Sequence, residues 1–274
     1  MKKTITRRPP RSHSRRFSSV AAALVVLAAA CAAPRPAAPP PSAGEVLSAL
    51  EQRRGLIQTL SLEGRGKLAN KSRRTLRGDV FLYAAKPDCL RLEAYGPFGQ
   101  PVLFVAMRGL EAQAISFLER RYYTGRADSP RMAAFLPLGL TATELISLLS
   151  ATPLPTQTCH GVPLGQDPAL QLAAEGRGSA LLVCEGASGG RLLFDADLDL
   201  IAGSVRLGGS DLTALYSDWK QVDSARFPFT LEFSLPGQER ALKLELSKAR
   251  LNEPLDPSLF SLSPPPGFAV ERAG

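Results

Sequence analysis

Three aspartates at alternate positions, Asp195, Asp197 and Asp199, have the rhythm of a calcium loop, in which spaced carboxylates converge on one cation. The rhythm breaks where the chemistry needs it. The sixth position is Leu200 instead of the glycine that makes the sharp turn, and the twelfth is Arg206 instead of a bidentate Glu. Just upstream, Gly186-Ala187-Ser188-Gly189-Gly190 has the spacing of a nucleophile elbow, which requires a strand before it and a helix after it. Here "RLLFDADL" follows, which predicts a strand, so the segment is expected to be a hairpin loop. His160, the one histidine beyond residue 30, sits in "TCHGVP" among turn residues, the setting of a solvated loop side chain rather than a general base. Neither a Gly-rich phosphate loop nor zinc-ligand spacing occurs. This inventory argues against an enzyme and assigns no metal.

The residue with the clearest chemistry is Cys31. Residues 1–16 are basic, and Val20–Ala30 is an unbroken apolar run too short to span a bilayer, which needs about 20 residues. A basic start, a short apolar core and small residues are the anatomy of a secretory signal. "LAAAC" resembles the lipobox of bacterial lipoproteins, although Ala28, not Leu, stands three residues before the cysteine. The resemblance implies cleavage before Cys31, diacylglycerol on its thiol and acylation of the new amino group. The alternative is ordinary signal cleavage after Ala30. "SRRFSS" has a fainter likeness to a twin-arginine signal.

The chain carries a formal charge of +8, but residues 1–30 hold seven basic residues and no acidic ones, so the remainder is close to neutral at +1. The basic pI is therefore no argument for nucleic-acid binding. "AAPRPAAPPPS" follows as a semi-extended tether, residues 31–43 with the cysteine, and 44–270 is sized for one domain with its own core. Of Cys89, Cys159 and Cys184, the second and third are the more plausible pair; Cys89 has the setting of a small residue opening a strand.

The surrounding elements follow from periodicity. Ser42 and Glu45 form a capping box before Val46, Leu47 and Leu50, predicting a helix over 44–56. Period-two alternation then takes over: Leu60 to Leu68, Leu76 to Leu82, Leu90 to Ala94, and, near the end, Phe229 to Leu235 and Leu242 to Leu246. Strands are also expected at 102–107, 112–117, 121–124, 170–174, 180–183, 191–194, 204–207 and 214–218. The fold class is mainly β with helices: an antiparallel, strongly curved sheet of about ten strands whose dry face must be covered. The cover is expected from "SPRMAAFLPLGLTATELISLLSATPLP", where a second capping box, Thr141 with Glu144, opens a short helix apolar on most sides. Its Phe135, Leu136, Leu145, Ile146, Leu148 and Leu149 form either a plain core plug or a lid over a ligand cavity.

Between two strands lies Gly96-Pro97-Phe98-Gly99, an ordinary turn except for the large apolar Phe98 at its tip. This layout, with the ending "FPFTLEFSLPGQERALKLELSKARLNEPLDPSLFSLSPPPGFAV" and the segments "LRLEAYGPFGQPV" and "RRYYTG", resembles the LolA/LolB-like lipoprotein-carrier superfamily over roughly residues 44–270. The resemblance implies an open, incomplete β-barrel with an apolar hollow covered by helices, no cofactor, and acylated lipoproteins or lipids as partners. A lipidated Cys31 puts the chain nearer the LolB branch, anchored in the outer membrane and facing the periplasm, with a LolA-like carrier as donor. Ala32 after the cysteine, instead of Asp, agrees with that location. In that branch an exposed apolar residue on a protruding loop engages the membrane, and Phe98 occupies the matching place.

Overall fold

Period-two alternation becomes strand throughout the chain. The computed structural model describes residues 40–70, 73–153, 159–186, 189–207 and 209–273. After helix α1 (Ala43–Leu56), six strands form an up-and-down meander: β1 (Thr59–Asn70), β2 (Arg73–Ala85), β3 (Cys89–Tyr95), β4 (Pro101–Arg108), β5 (Glu111–Ser116) and β6 (Arg121–Arg126). The middle segment contributes α2 (Pro130–Ala133), a 3₁₀ turn (Pro137–Gly139) and α3 (Ala142–Leu149). A second meander holds β7 (Cys159–Val162), helix α4 (Pro168–Ala173), β8 (Ala180–Cys184), β9 (Gly190–Phe194), β10 (Leu200–Leu207), β11 (Ser210–Val222), β12 (Ala225–Leu235) and β13 (Arg240–Leu251). The chain closes with β14 (Ala269–Ala273), which runs parallel to β6.

All these strands belong to one sheet, in the order β14-β6-β5-β4-β3-β2-β1-β13-β12-β11-β10-β9-β8-β7. The two meanders join where β1 pairs β13, from Leu60 opposite Leu251 to Asn70 opposite Arg240. The sheet is open, with β14 and β7 at its edges. It has fourteen strands, not about ten. Twelve of the individually expected runs become strands, and the two edges are added, whose sequences, "CHGV" and "AVERA", are too short and mixed to show a period. His160 therefore lies on an exposed edge strand, not in a loop. The strand expected at 170–174 is instead helix α4: Asp167 caps it, accepting from Leu170 N–H at 2.9 Å, and Pro168 fits the first helical position. A short apolar run cannot itself distinguish strand from helix.

One face of the sheet holds the main core. Leu62, Leu82, Leu92 and Val105 from the first meander meet Leu192, Phe194, Leu212 and Phe233 from the second, and Val46 and Leu50 of α1 join them. The outer face carries two smaller cores. Helix α4 covers Leu181, Leu193 and Ile201, while the tail after β13 covers Ala106, Ile115 and Tyr122.

The tail also explains the N-x-P-L-D-x-x-x-F ending. Asn252 takes positive φ; its Oδ1 accepts Gln58 N–H at 2.8 Å and its Nδ2 donates to Leu56 O at 2.7 Å, splicing the α1–β1 joint to the end of β13. Asp256 accepts Ser258 N–H at 2.9 Å and starts the 3₁₀ turn that buries Phe260.

Candidate functional site

The mid-chain segment lies in the hollow of the inner face. Side-chain caps open both of its helices, one of them the expected Thr141–Glu144 box. Ser129 Oγ accepts Met132 N–H at the head of α2; at α3 Thr141 N–H donates to Glu144 at 2.8 Å and Glu144 N–H returns to Thr141 Oγ1 at 3.2 Å. The chain between the two helices turns through left-handed residues, Leu138 at φ 60° and Gly139 at φ 71°, and Ala151 at φ 51° follows α3. Such backbone is costly for a non-glycine residue and here brackets the helix on both sides. Leu136, Leu145, Ile146, Leu148 and Leu149 are at most 2% exposed and join the main core cluster. Phe135 is half-buried at the margin, 4.8 Å from the Tyr123 ring.

Three further residues of this segment, Met132, Leu138 and Leu140, are also buried and were not singled out by sequence, although "RMAAFLPLGL" displays them. Nor was Tyr216 of β11. It is fully buried, its hydroxyl donates to Leu148 O at the C-terminal end of α3 at 3.0 Å, and burial pushes its ionisation far above the ordinary phenol value. Where the segment meets the rim of β10–β13, a cleft of about 210 Å³ opens between Leu138, Leu140, Leu207 and Leu235, edged by Gln238 and Arg240.

The Gly96–Gly99 turn behaves differently. Gly99 N–H donates to Gly96 O at 3.0 Å, Gly96 N–H to Gln100 O at 2.8 Å, and Phe98 N–H to Gln100 Oε1 at 3.1 Å. Gly99 sits at φ 75°. β2 runs so close beside the turn that a Cβ on Gly78 would lie 1.7 Å from the Tyr95 carbonyl oxygen. The tip is thereby rigid, and Phe98 stands 92% exposed, pointing away from its own domain. Behind it, Tyr95, Phe104, Phe117 and Phe268 form a row across the outer surface, tilted between the first two rings and edge-to-face between the others, with centroids 4.9–5.6 Å apart.

The other chemistry-bearing residues are engaged structurally. Cys159 and Cys184 form a disulfide that ties edge strand β7 to β8, and Cys89 is free at the start of β3. Asp195 Oδ1 accepts the N–H groups of Asp197 and Asp199 at 3.0 Å each. Asp199 is buried between two guanidinium groups, Arg53 at 3.1 Å and Arg226 at 2.7 Å. Burial pushes the Asp199 carboxyl up, while Arg226 and Arg53 pull it down. Arg53 also lies 4.5 Å over the Trp219 ring, so the cluster fastens α1 to the sheet. β8 and β9 pair antiparallel with Cys184 opposite Gly190, and a strand, not a helix, follows the G-x-S-x-G spacing; Ala187 and Ser188 lie outside the described residues. Cys31 lies outside the described residues.

No family model and no curated protein matches this sequence. Solved structures do match in shape. One is a domain described as an outer membrane lipoprotein-sorting protein from Vibrio parahaemolyticus, with a TM-score of 0.50, 13% identity and coverage of 79% of this chain and 94% of that one. Another is a LolA superfamily protein from Nitrosomonas europaea, at TM-score 0.50 and 10% identity, covering 81% and 98%. The chain has the LolA/LolB-like fold. A DUF1329 family protein from Desulfovibrio piger is similar to the same extent, at TM-score 0.51 and 11% identity, covering 79% and 94%. On this LolA/LolB-like frame the hollow is the concave inner face, and the mid-chain segment fills it with its own side chains. No helix among the described residues is long and apolar enough to cross a membrane.

Proposed function

We propose that this chain is an envelope lipoprotein, anchored in the outer membrane through acylated Cys31, that accepts acyl chains in its half-barrel and passes acylated lipoproteins from a soluble periplasmic carrier into the membrane. The observation that carries the reading is the construction of the cover: a mid-chain segment whose helix α3, bracketed by left-handed residues, buries Ala142, Leu145, Ile146, Leu148 and Leu149 and is held to the sheet by apolar contact and the Tyr216 hydrogen bond. An acyl chain offers the hollow the same apolar surface that the segment offers, about 0.8 kcal/mol per buried CH₂. Transfer makes and breaks no covalent bond, so it asks for no catalytic group. Phe98 is the membrane-contacting tip. The completeness of the packing favours a second reading, in which the segment is a permanent plug and the protein works through its surface alone.

Native mass spectrometry of the protein released from membranes separates the two. The proposal expects co-purified acyl lipid or lipopeptide, and Cys31→Ala should move the protein to the soluble fraction. A ligand-free protein that also takes up no added fatty acid belongs to the second reading.

A further inference from the structure

In an antiparallel meander alternate connections fall at the same end. The β1–β2 connection, the Gly96–Gly99 turn and the β5–β6 connection at 117–120 therefore share one rim. Two of these tips are apolar and exposed: Phe98 at 92% and Leu118 at 78%. Leu76, on β2 beside the Phe98 turn, is 55% exposed.

The third hairpin supplies charge. Residues 65–78 contain six basic residues, Arg65, Lys67, Lys71, Arg73, Arg74 and Arg77, and no acidic one. Lys67 and Arg77 face each other directly across β1 and β2, both exposed and neither with an ion-pair partner among the described residues. Like charges in that register work against the sheet. The neighbouring position on β13 is handled otherwise: Lys243 is neutralised by Glu232 at 3.0 Å and Glu245 at 3.1 Å. Arg65 has Asp79 at 3.7 Å, and Arg120 lies over the Phe268 ring at 5.6 Å. The acids near the tips are Glu119, which accepts the Tyr123 hydroxyl at 2.6 Å, and Glu239. The opposite rim also exposes a leucine, Leu110, but mixes its charges: Asp88, Glu111 and Asp128 stand among Lys86, Arg108 and Arg126.

We infer that this rim docks on a bilayer bearing anionic headgroups, with Phe98 and Leu118 in the interfacial zone and the β1–β2 hairpin, through Lys67 and Arg77, on the phosphates. The inference rests on the reading of Phe98 as a membrane contact and extends it to a second tip and a lipid preference. The combination selects the occupant. A bilayer offers an anionic layer and an apolar layer within a few ångströms of each other. A nucleic acid or an acidic protein would satisfy the cations but offer nothing to two apolar hairpin tips.

The test is vesicle flotation of the chain from residue 31 onward carrying Cys31→Ser, so that neither an acyl group on that residue nor the seven basic residues of 1–30 contribute. Vesicles are phosphatidylcholine alone or with about one-third phosphatidylglycerol, at low and high salt. The parent should prefer the anionic vesicles about tenfold at low salt and lose that preference at high salt. Lys67→Glu should cut association with anionic vesicles about fivefold or more and leave neutral vesicles unaffected. Its thermal midpoint should hold or rise, because the new carboxylate faces Arg77. Leu118→Glu should lower association with both vesicle types. A parent without preference, or Lys67→Glu and Lys67→Glu/Arg77→Glu proteins that bind anionic vesicles as the parent does, would overturn the inference and direct attention to a protein partner. If Phe98→Glu changes neither vesicle type while Lys67→Glu abolishes the preference, the Phe98 reading fails and the charge inference stands.

Discussion

Two irregular segments cover the two faces of one sheet, and they differ in how far directional bonds or apolar burial hold them. The tail at 252–268 is stitched to the outer face. Tyr122 donates its hydroxyl to Leu262 O at 3.1 Å, Leu262 N–H donates to Gln113, and Arg91 donates to Ser261 O at 3.2 Å. Asn252 adds two more bonds at the tail's root. The mid-chain segment buries more apolar side chains and has fewer such ties: Arg131 of α2 pairs with Glu271 of β14, and α3 is bonded to the sheet through Tyr216. Directional bonds specify one partner. Apolar burial is non-directional and accepts any surface of similar shape. The tail is therefore a fixed part of the fold, and the mid-chain segment is the part an acyl chain could replace.

The largest expected effect lies inside. Leu148→Ala should cost about 2–5 kcal/mol in urea unfolding, as for other leucines truncated in a packed core. A long-chain fatty acid should return part of that loss by filling the space. A loss that fatty acid leaves untouched would make the segment an ordinary core element. On the outer face, Asn252→Ala should cost about 1–3 kcal/mol, since it orphans two backbone partners and forces alanine into positive φ. Fatty acid should not restore that stability, and a rescue equal to that of Leu148→Ala would erase the contrast.

Much of this was legible locally. Both capping boxes, Ser42 with Glu45 and Thr141 with Glu144, form as their spacing requires, because a cap depends on residues three apart. The alternating strands formed too, since one wet and one dry face impose a period of two. Helix α4 and the edge strands β7 and β14 were not legible, because tertiary pairing decides such short runs. Whether the hollow is filled depends on β3 and Tyr216 of β11 meeting α3 across long stretches of chain. Asp199 was read as one of three aspartates in a row, and its partners Arg53 and Arg226 lie far off in sequence. The cationic hairpin at 65–78 was hidden by a near-neutral total, which averages a local cluster away.

Tyr216→Phe should cost about 1 kcal/mol, the net worth of one hydrogen bond with the ring volume kept. It should speed uptake of a solvatochromic fatty acid, because the tie to Leu148 O is gone. Unchanged uptake would mean that the tie does not govern opening. The smallest stability effect belongs to the exposed tip. Phe98→Glu should stay within about 0.5 kcal/mol of the parent, as surface changes do, while lowering vesicle association. A loss of several kcal/mol would place the ring in the core.

Hydrogen exchange read segment by segment, with and without a long-chain fatty acid, tests the contrast between the two covers most directly. Amides of α3 should open below the global unfolding free energy, and their protection should shift when the fatty acid binds. Those of 257–268 should exchange no more readily with ligand than without it. Equal protection in both segments, indifferent to fatty acid, would contradict the account and leave α3 as a permanent plug.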